Sequence, residues 1–136
     1  MRRALAITPA SPARDRTVDI TTTGARTGRP RRIEIWFYRH EGTVYLTTTP
    51  ARRSWYANLL AHPRFTVHLK HGVQADLAAT GVPVTDPARR ARVFQHVVDD
   101  LNQPLHAGYV EQPQHLEDWM VGSPLVEVVF DEPLRP

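Results

Sequence analysis

Arg32-Ile33-Glu34-Ile35-Trp36-Phe37-Tyr38-Arg39 is the stretch that decides the fold. Successive residues of a strand point to opposite faces, so Ile33, Ile35 and Phe37 share one face and Glu34, Trp36 and Tyr38 the other. Both faces carry bulk, and neither is simply solvated. Downstream, His40-Glu41-Gly42 reads as a hairpin turn and Val44 to Thr49 as the returning strand. Upstream, Thr17 to Thr23 is rich in β-branched residues and predicts another strand. Gly24-Ala25-Arg26-Thr27-Gly28-Arg29-Pro30 joins it to the first as a basic turn, its two glycines allowing positive φ. Further strands are predicted over Phe65–Lys70, over Val73–Val84 after a His71-Gly72 turn, and over Pro124–Phe130. Tight turns between strands imply antiparallel pairing. About six such strands cannot leave both faces bulky in an open sheet. The expectation is a mainly β protein with helices (α+β), its strands closed into a small barrel.

Three helices interrupt the strands. Ser54 is placed to cap a helix from Trp55 to Ala61, which Pro63 closes. Asp86-Pro87 is a strong helix start, followed by Phe94, Val97, Val98 and Leu101 on one face. Arg89, Arg90, Arg92, Asp99 and Asp100 take the opposite face. After a loop over 103–112, a short helix spans Pro113–Val121 with Leu116, Trp119 and Met120, closed by Gly122. Residues 1–16 read as a flexible N-terminal arm and 17–136 as a single domain.

With 136 residues, 41% of them hydrophobic and 23% charged, the chain can bury a real core. It has no Cys, which excludes disulfides, thiolate zinc sites and a Cys nucleophile. No apolar run reaches the roughly 20 residues of a membrane span, and the first residues lack a signal-peptide core. A cytoplasmic protein without an integral membrane segment is expected. Charge is distributed unevenly. Twelve Arg and Lys70 against four acids leave residues 1–72 at +9, while four Arg against ten acids leave residues 73–136 at −6. Arg26, Arg29, Arg31 and Arg32 lie within seven residues, and Arg52 and Arg53 follow further on. Such forks match phosphate or carboxylate geometry.

The Gly24–Arg32 segment reads either as a phosphate cradle of backbone N–H groups, Thr27 and Arg side chains, or as a solvated basic hairpin. It is neither a Walker loop nor a dinucleotide fingerprint, because the glycine spacing is wrong and a strand follows. At Thr47–Tyr56 a strand runs into a helix N-terminus, where free N–H groups suit an anion or a polar ring edge. The bland alternative for Trp55 and Tyr56 is core packing. The seven His show no metal-ligand spacing, and no Ser lies in a nucleophile elbow. An anion cradle with aromatic walls and no evident catalytic residue suits an enzyme whose cofactor carries the reaction.

Thr21-Thr22-Thr23-Gly24-Ala25-Arg26-Thr27-Gly28-Arg29-Pro30-Arg31 resembles the T-T-G-R-x-[ST]-G-x-P-R signature of the deazaflavin (F420)-dependent nitroreductase family. Trp55-Tyr56-Ala57-Asn58-Leu59-Leu60-Ala61-His62-Pro63 resembles its W-Y-x-N-L-x-A-N/H-P signature, and the tail from Val126 to Pro133 fits as well. The resemblance spans about residues 17–133. It implies a split β-barrel of the FMN-binding type, related to pyridoxamine phosphate oxidase. It implies hydride transfer from reduced coenzyme F420 to a small electron-poor acceptor such as a nitroaromatic or quinone. By the same resemblance Arg26, Thr27, Gly28 and Arg31 hold the phosphate and polyglutamate tail. Trp36 lies beside the ring, Thr48 and Thr49 meet the deazaflavin edge, and Trp55 and Asn58 match the second signature; Arg52 and Arg53 join the cofactor-site candidates through their charge. Three features depart from the family pattern, one being that its Tyr-rich substrate helix is represented only by Tyr109 and Trp119. Ala25 stands where the signature has Arg, and the loop before Trp55 is cut to Pro50-Ala51-Arg52-Arg53-Ser54.

FMN is the alternative cofactor. A nucleic-acid-binding module using the Arg-rich face is the alternative from another class; the acidic second half and the lack of a known motif speak against it. A homodimer is expected, with apolar positions around Phe37, Val44 and Leu69 as its face. Residues 103–122 are expected to form a lid or wall over the ring, with Tyr109 and Trp119 as the substrate pocket. Trp119 as a core plug is the other reading.

Overall fold

A computed structural model describes residues 5–132. The chain forms six strands: β1 Thr17–Thr23, β2 Pro30–His40, β3 Thr43–Thr47, β4 Arg64–Leu69, β5 Ala75–Pro83 and β6 Leu125–Phe130. All neighbours pair antiparallel in the order β1-β2-β3-β6-β5-β4, and β4 returns to β1, closing a barrel. Three helices decorate it: α1 Ser54–Ala61, α2 Pro87–Leu101 and α3 Leu116–Gly122. The predicted order and number of elements hold. The predicted 73–84 strand is shorter, because Gly72 sits at φ +79 and the turn extends past it.

The alternation in β2 explains the closure. Ile35 and Phe37 point into the barrel with Val18, Ile20, Leu46, Val67 and Val126. Tyr38 points outward into a second core, with Trp36 packed against it; Phe94, Val97, Leu101 and Trp119 from α2 and α3 complete that core. One strand is thus buried on both faces, by the barrel lumen and by a helical layer. The β2–β3 turn uses Glu41 and Gly42, both at positive φ, as a two-residue hairpin requires. The outer face of β1, β4 and β5 is polar instead. Lys70 bridges Asp19 and Glu34, and His68 sits between Thr21 and Asp76 at 2.7 Å from each.

Several expectations are corrected by packing. Phe37, Val44 and Leu69 lie inside the barrel and offer no dimer face. Ser54 is the first residue of α1, and Arg53 occupies the cap position without a side-chain cap bond. Asp86 does cap α2, accepting from the Arg89 N–H at 2.9 Å. Asp100 is buried, not solvated. It accepts from Arg16, whose guanidinium is fully buried, and from Gln103 at 2.8 Å, and it lies 3.2 Å from His106. Arg90 also turns inward, donating to the carbonyls of Val84, Met120 and Ser123. Residues 5–16, read as an arm, pack against the domain. Leu5 joins the barrel core, and Arg16 donates to the carbonyls of Thr8, Pro9 and Ser11.

Candidate functional site

Two adjoining cavities open beside the ends of β1, β2 and β3. The first, about 700 Å³, is lined by Arg26, Thr27, Arg31, Arg52, Arg53, Ser54 and Asn58 among others, and by no acidic residue. The second, about 460 Å³, is lined by Trp36, Tyr38, Thr48, Thr49, Leu101, Tyr109 and Trp119 among others. Ile33, Arg53 and Trp55 line both, so the two cavities meet at these residues. Of the site residues expected from sequence, all but Gly28 line one or both.

The β1–β2 loop is built from its own backbone. Gly24 donates to the Arg29 carbonyl at 2.8 Å, and Gly28 donates to the Gly24 carbonyl at 2.9 Å. Arg29 N–H donates to the Thr27 hydroxyl at 3.2 Å, and Ala25 N–H donates to Asn58 Oδ1 at 2.9 Å. These bonds correct the cradle reading. Four loop N–H groups are already spent, so an anion there is met chiefly by arginine side chains. The two glycines also serve different purposes. Gly28 adopts φ +68, whereas Gly24 is needed for space, since a Cβ there would stand 2.5 Å from the Thr27 hydroxyl. Gly28 acts through the loop's shape and not through contact with the cavity.

Asn58 ties α1 to this loop. It is buried, and its Nδ2 donates to the Thr22 hydroxyl at 3.0 Å while its Oδ1 holds Ala25. Arg53 ties the opposite wall, donating to the Thr49 carbonyl at 2.7 Å and to its hydroxyl at 2.8 Å. Ala51 N–H donates to the Gly122 carbonyl at 3.2 Å, joining that wall to α3. Gly122 permits this approach, since a Cβ there would lie 2.9 Å from Pro50 Cβ.

Charge and hydrogen bonding give the two cavities their character. The ion-paired arginines among the described residues are Arg16, Arg32, Arg64 and Arg89. Arg26, Arg31, Arg52 and Arg53 are not among them, so the first cavity presents uncompensated positive charge. Arg53 Nε and Trp55 Nε1 at the junction, and Thr48 Oγ1 of a residue lining the second cavity, are sealed from solvent and have no partner among the described residues. The arginine and indole nitrogens only donate. Leaving each unmet costs about 1–3 kcal/mol, so three such atoms beside these cavities call for a ligand with acceptor atoms.

The 103–122 segment is fixed at several points. Asn102 exchanges two bonds with Gln114, and Gln112 donates to the carbonyls of Leu101 and Gln103. Trp119 is fully buried, packs on Phe94 and donates to Gln114 Oε1 at 2.9 Å. It plugs the second core and underlies the cavity. Tyr109 is 71% exposed and lies 6.4 Å from Trp36, ring to ring. Sequence reasoning missed Tyr38 and Leu101 as lining residues. Tyr38 shares the Trp36 face of β2, which was a usable signal. Leu101 read only as helix core. Among the described residues, no group of three His, Asp or Glu is placed to hold a metal ion.

A family model described as F420H(2)-dependent quinone reductase matches residues 11–112. A conserved hypothetical protein from Mycobacterium tuberculosis is 21% identical, with a TM-score of 0.65 over 91% of this chain and 76% of that one. An FAD-binding protein from Mesorhizobium loti is 13% identical, with a TM-score of 0.61 over 95% of this chain and 85% of that one. A structure described as an F420-H2 dependent reductase is 21% identical, with a TM-score of 0.52 over 83% of this chain and 93% of that one. At these identities the solved structures speak for the fold, the split β-barrel.

Proposed function

The chain belongs to the F420H(2)-dependent quinone reductase family, and from that membership we propose how its two cavities divide the work. By family it is an oxidoreductase that uses coenzyme F420, a deazaflavin bearing an anionic tail. The arginine-lined cavity takes the tail, and the aromatic cavity takes the ring together with a small electron-poor acceptor. The observation that carries this reading is the meeting of an acid-free, four-arginine cavity and an aromatic one at Arg53 and Trp55. The sealed, unpaired donors at that junction suit the carbonyl and nitrogen edge of a deazaflavin ring. The residues present therefore fit the cofactor.

When bound in its reduced form, the cofactor supplies hydride. The protein's own part is binding, orientation and exclusion of water. Arg26, Arg31 and Arg52 neutralise the tail. Arg53, fixed by Thr49, and Trp55, fixed in α1, set the ring edge. Trp36 gives the ring a flat apolar neighbour, and Tyr109 forms the outer wall against which a planar acceptor stacks. A homodimer is also proposed. Val82 and Val129, both exposed on the outer face of the adjacent strands β5 and β6, are the apolar surface it offers.

Titration of the intrinsic fluorescence of F420 with the purified protein tests the assignment. Arg26→Ala and Arg31→Ala should each weaken binding about tenfold at low salt, with a smaller loss at high salt. FMN, with a single phosphate, should bind more weakly than F420 in the same assay. Parent-like F420 affinity in both variants refutes the tail assignment.

A further inference from the structure

We propose that the Tyr38 hydroxyl is the group that orients the acceptor, donating a hydrogen bond to a carbonyl oxygen of a quinone-type substrate in the aromatic cavity. This rests on the F420-dependent reading of the site. Tyr38 leaves β2 on the same face as Trp36 and lines the cavity floor with Leu101 and Trp119. Its side chain is 97% removed from solvent, at 3% exposure. None of the hydrogen bonds among the described residues uses its hydroxyl. Tyr38 is one of the residues that line the cavity, and its hydroxyl is not among the sealed, unpaired atoms of the interior.

A buried tyrosine usually finds a partner for its hydroxyl. One that keeps a free donor at the floor of an apolar cavity is placed for a ligand. Leu101 offers no donor and the Trp119 indole is committed to Gln114, so the donors of this part of the lining are the Tyr38 hydroxyl and the Trp36 indole N–H. Arg53 and Trp55, which line both cavities, and Thr48 are the donors assigned to the cofactor ring. Around Tyr38 and Trp36 the lining is otherwise apolar, from Ile35, Leu101, Val110 and Trp119. A flat ring carrying a carbonyl oxygen matches that floor.

The hydroxyl keeps its proton. Burial raises its pKa, and the nearby Asp100 carboxylate adds to that, while Arg16 acts in the opposite sense. Tyr38 is then a hydrogen-bond donor and not a proton source. The balance of the reaction needs none from it. Hydride and proton from the family's reductant together convert a quinone into its hydroquinone, leaving the oxidised deazaflavin.

The test uses the full chain, F420 and menadione. Tyr38→Phe should leave F420 affinity within about twofold and lower kcat/KM for menadione about tenfold, the loss of one hydrogen bond. Its melting temperature should be unchanged or higher, since no internal bond is lost. A structural hydroxyl would instead show as destabilisation. In the parent protein, infrared difference spectra of carbonyl-labelled menadione bound with oxidised F420 should show one carbonyl shifted to lower frequency. Absence of that shift, or parent-like menadione kinetics in Tyr38→Phe, overturns the proposal. Menadione quenching of tryptophan fluorescence in cofactor-free protein separates the two readings. If F420 does not bind yet quenching is weakened by Tyr38→Phe, the cofactor reading fails and Tyr38 stands.

Discussion

Replacing Asn58 with Ala tests whether the amide of the second signature binds a ligand or builds the loop that does. The side chain is buried and makes two bonds, from Nδ2 to Thr22 Oγ1 at 3.0 Å and from Ala25 N–H to Oδ1 at 2.9 Å. Ala25 lies on an exposed loop, so its N–H can recover a water and the loss costs about 1 kcal/mol. Thr22 is 2% exposed, so its hydroxyl is harder to resatisfy, which raises its share to about 1–2 kcal/mol. Together they come to about 2–3 kcal/mol, or a fall in Tm of about 8 °C for a domain of this size. F420 affinity should fall with it, because Ala25 anchors the loop that presents Arg26 and Thr27 to the cavity. Asn58→Asp keeps the acceptor for Ala25 and should lose less stability than Asn58→Ala. Circular-dichroism melts and F420 fluorescence titration measure both effects. A Tm within about 2 °C of the parent, together with unchanged F420 affinity in Asn58→Ala, would show that the amide anchors nothing.

Asp100→Ala should cost about 3–5 kcal/mol in urea unfolding, because it leaves the fully buried Arg16 guanidinium unpaired; a loss below about 1 kcal/mol refutes that reading. Burial holds the His96 imidazole below its ordinary pKa, and the His40 ring 4.7 Å away adds to this. A histidine with a lowered folded value destabilises the fold as pH falls through about 6.5, so urea midpoints should drop between pH 7.5 and 5.5, and His96→Gln should flatten that drop. Gly24→Ala should weaken F420 binding by pushing the Thr27 hydroxyl, 2.5 Å from the added Cβ, out of the loop; unchanged binding would show that the loop relaxes freely. Sedimentation equilibrium at micromolar concentration should give about twice the 15.5 kDa chain mass, and a value near 15.5 kDa refutes the homodimer.

Much of this protein is written locally. Two-residue periodicity, tight turns and an Asp-Pro helix start are properties of neighbouring residues. They marked every strand and helix, and the two bulky faces of β2 required closure. The two signatures likewise carried the family, and the Arg26, Arg31, Arg52 and Arg53 cluster carried its preference for an anion. What the tertiary structure decided is which group does what once the pieces meet. Helical periodicity placed Asp100 with the solvated residues, yet it faces Arg16, 84 residues away, across the packed arm. Asn58 read as a ligand contact, yet it spends both polar atoms on Thr22 and Ala25, more than 30 positions upstream. Phe37, Val44 and Leu69 read as an association face because a strand pattern does not say which side becomes the lumen. Tyr38 went unmarked because a lone tyrosine beside a tryptophan looks the same whether its hydroxyl is partnered or open to a cavity. Hydrogen-bond satisfaction depends on atoms brought together from distant parts of the chain. Only closure of the barrel and docking of α2 and α3 fix which donors are spent and which remain for a ligand.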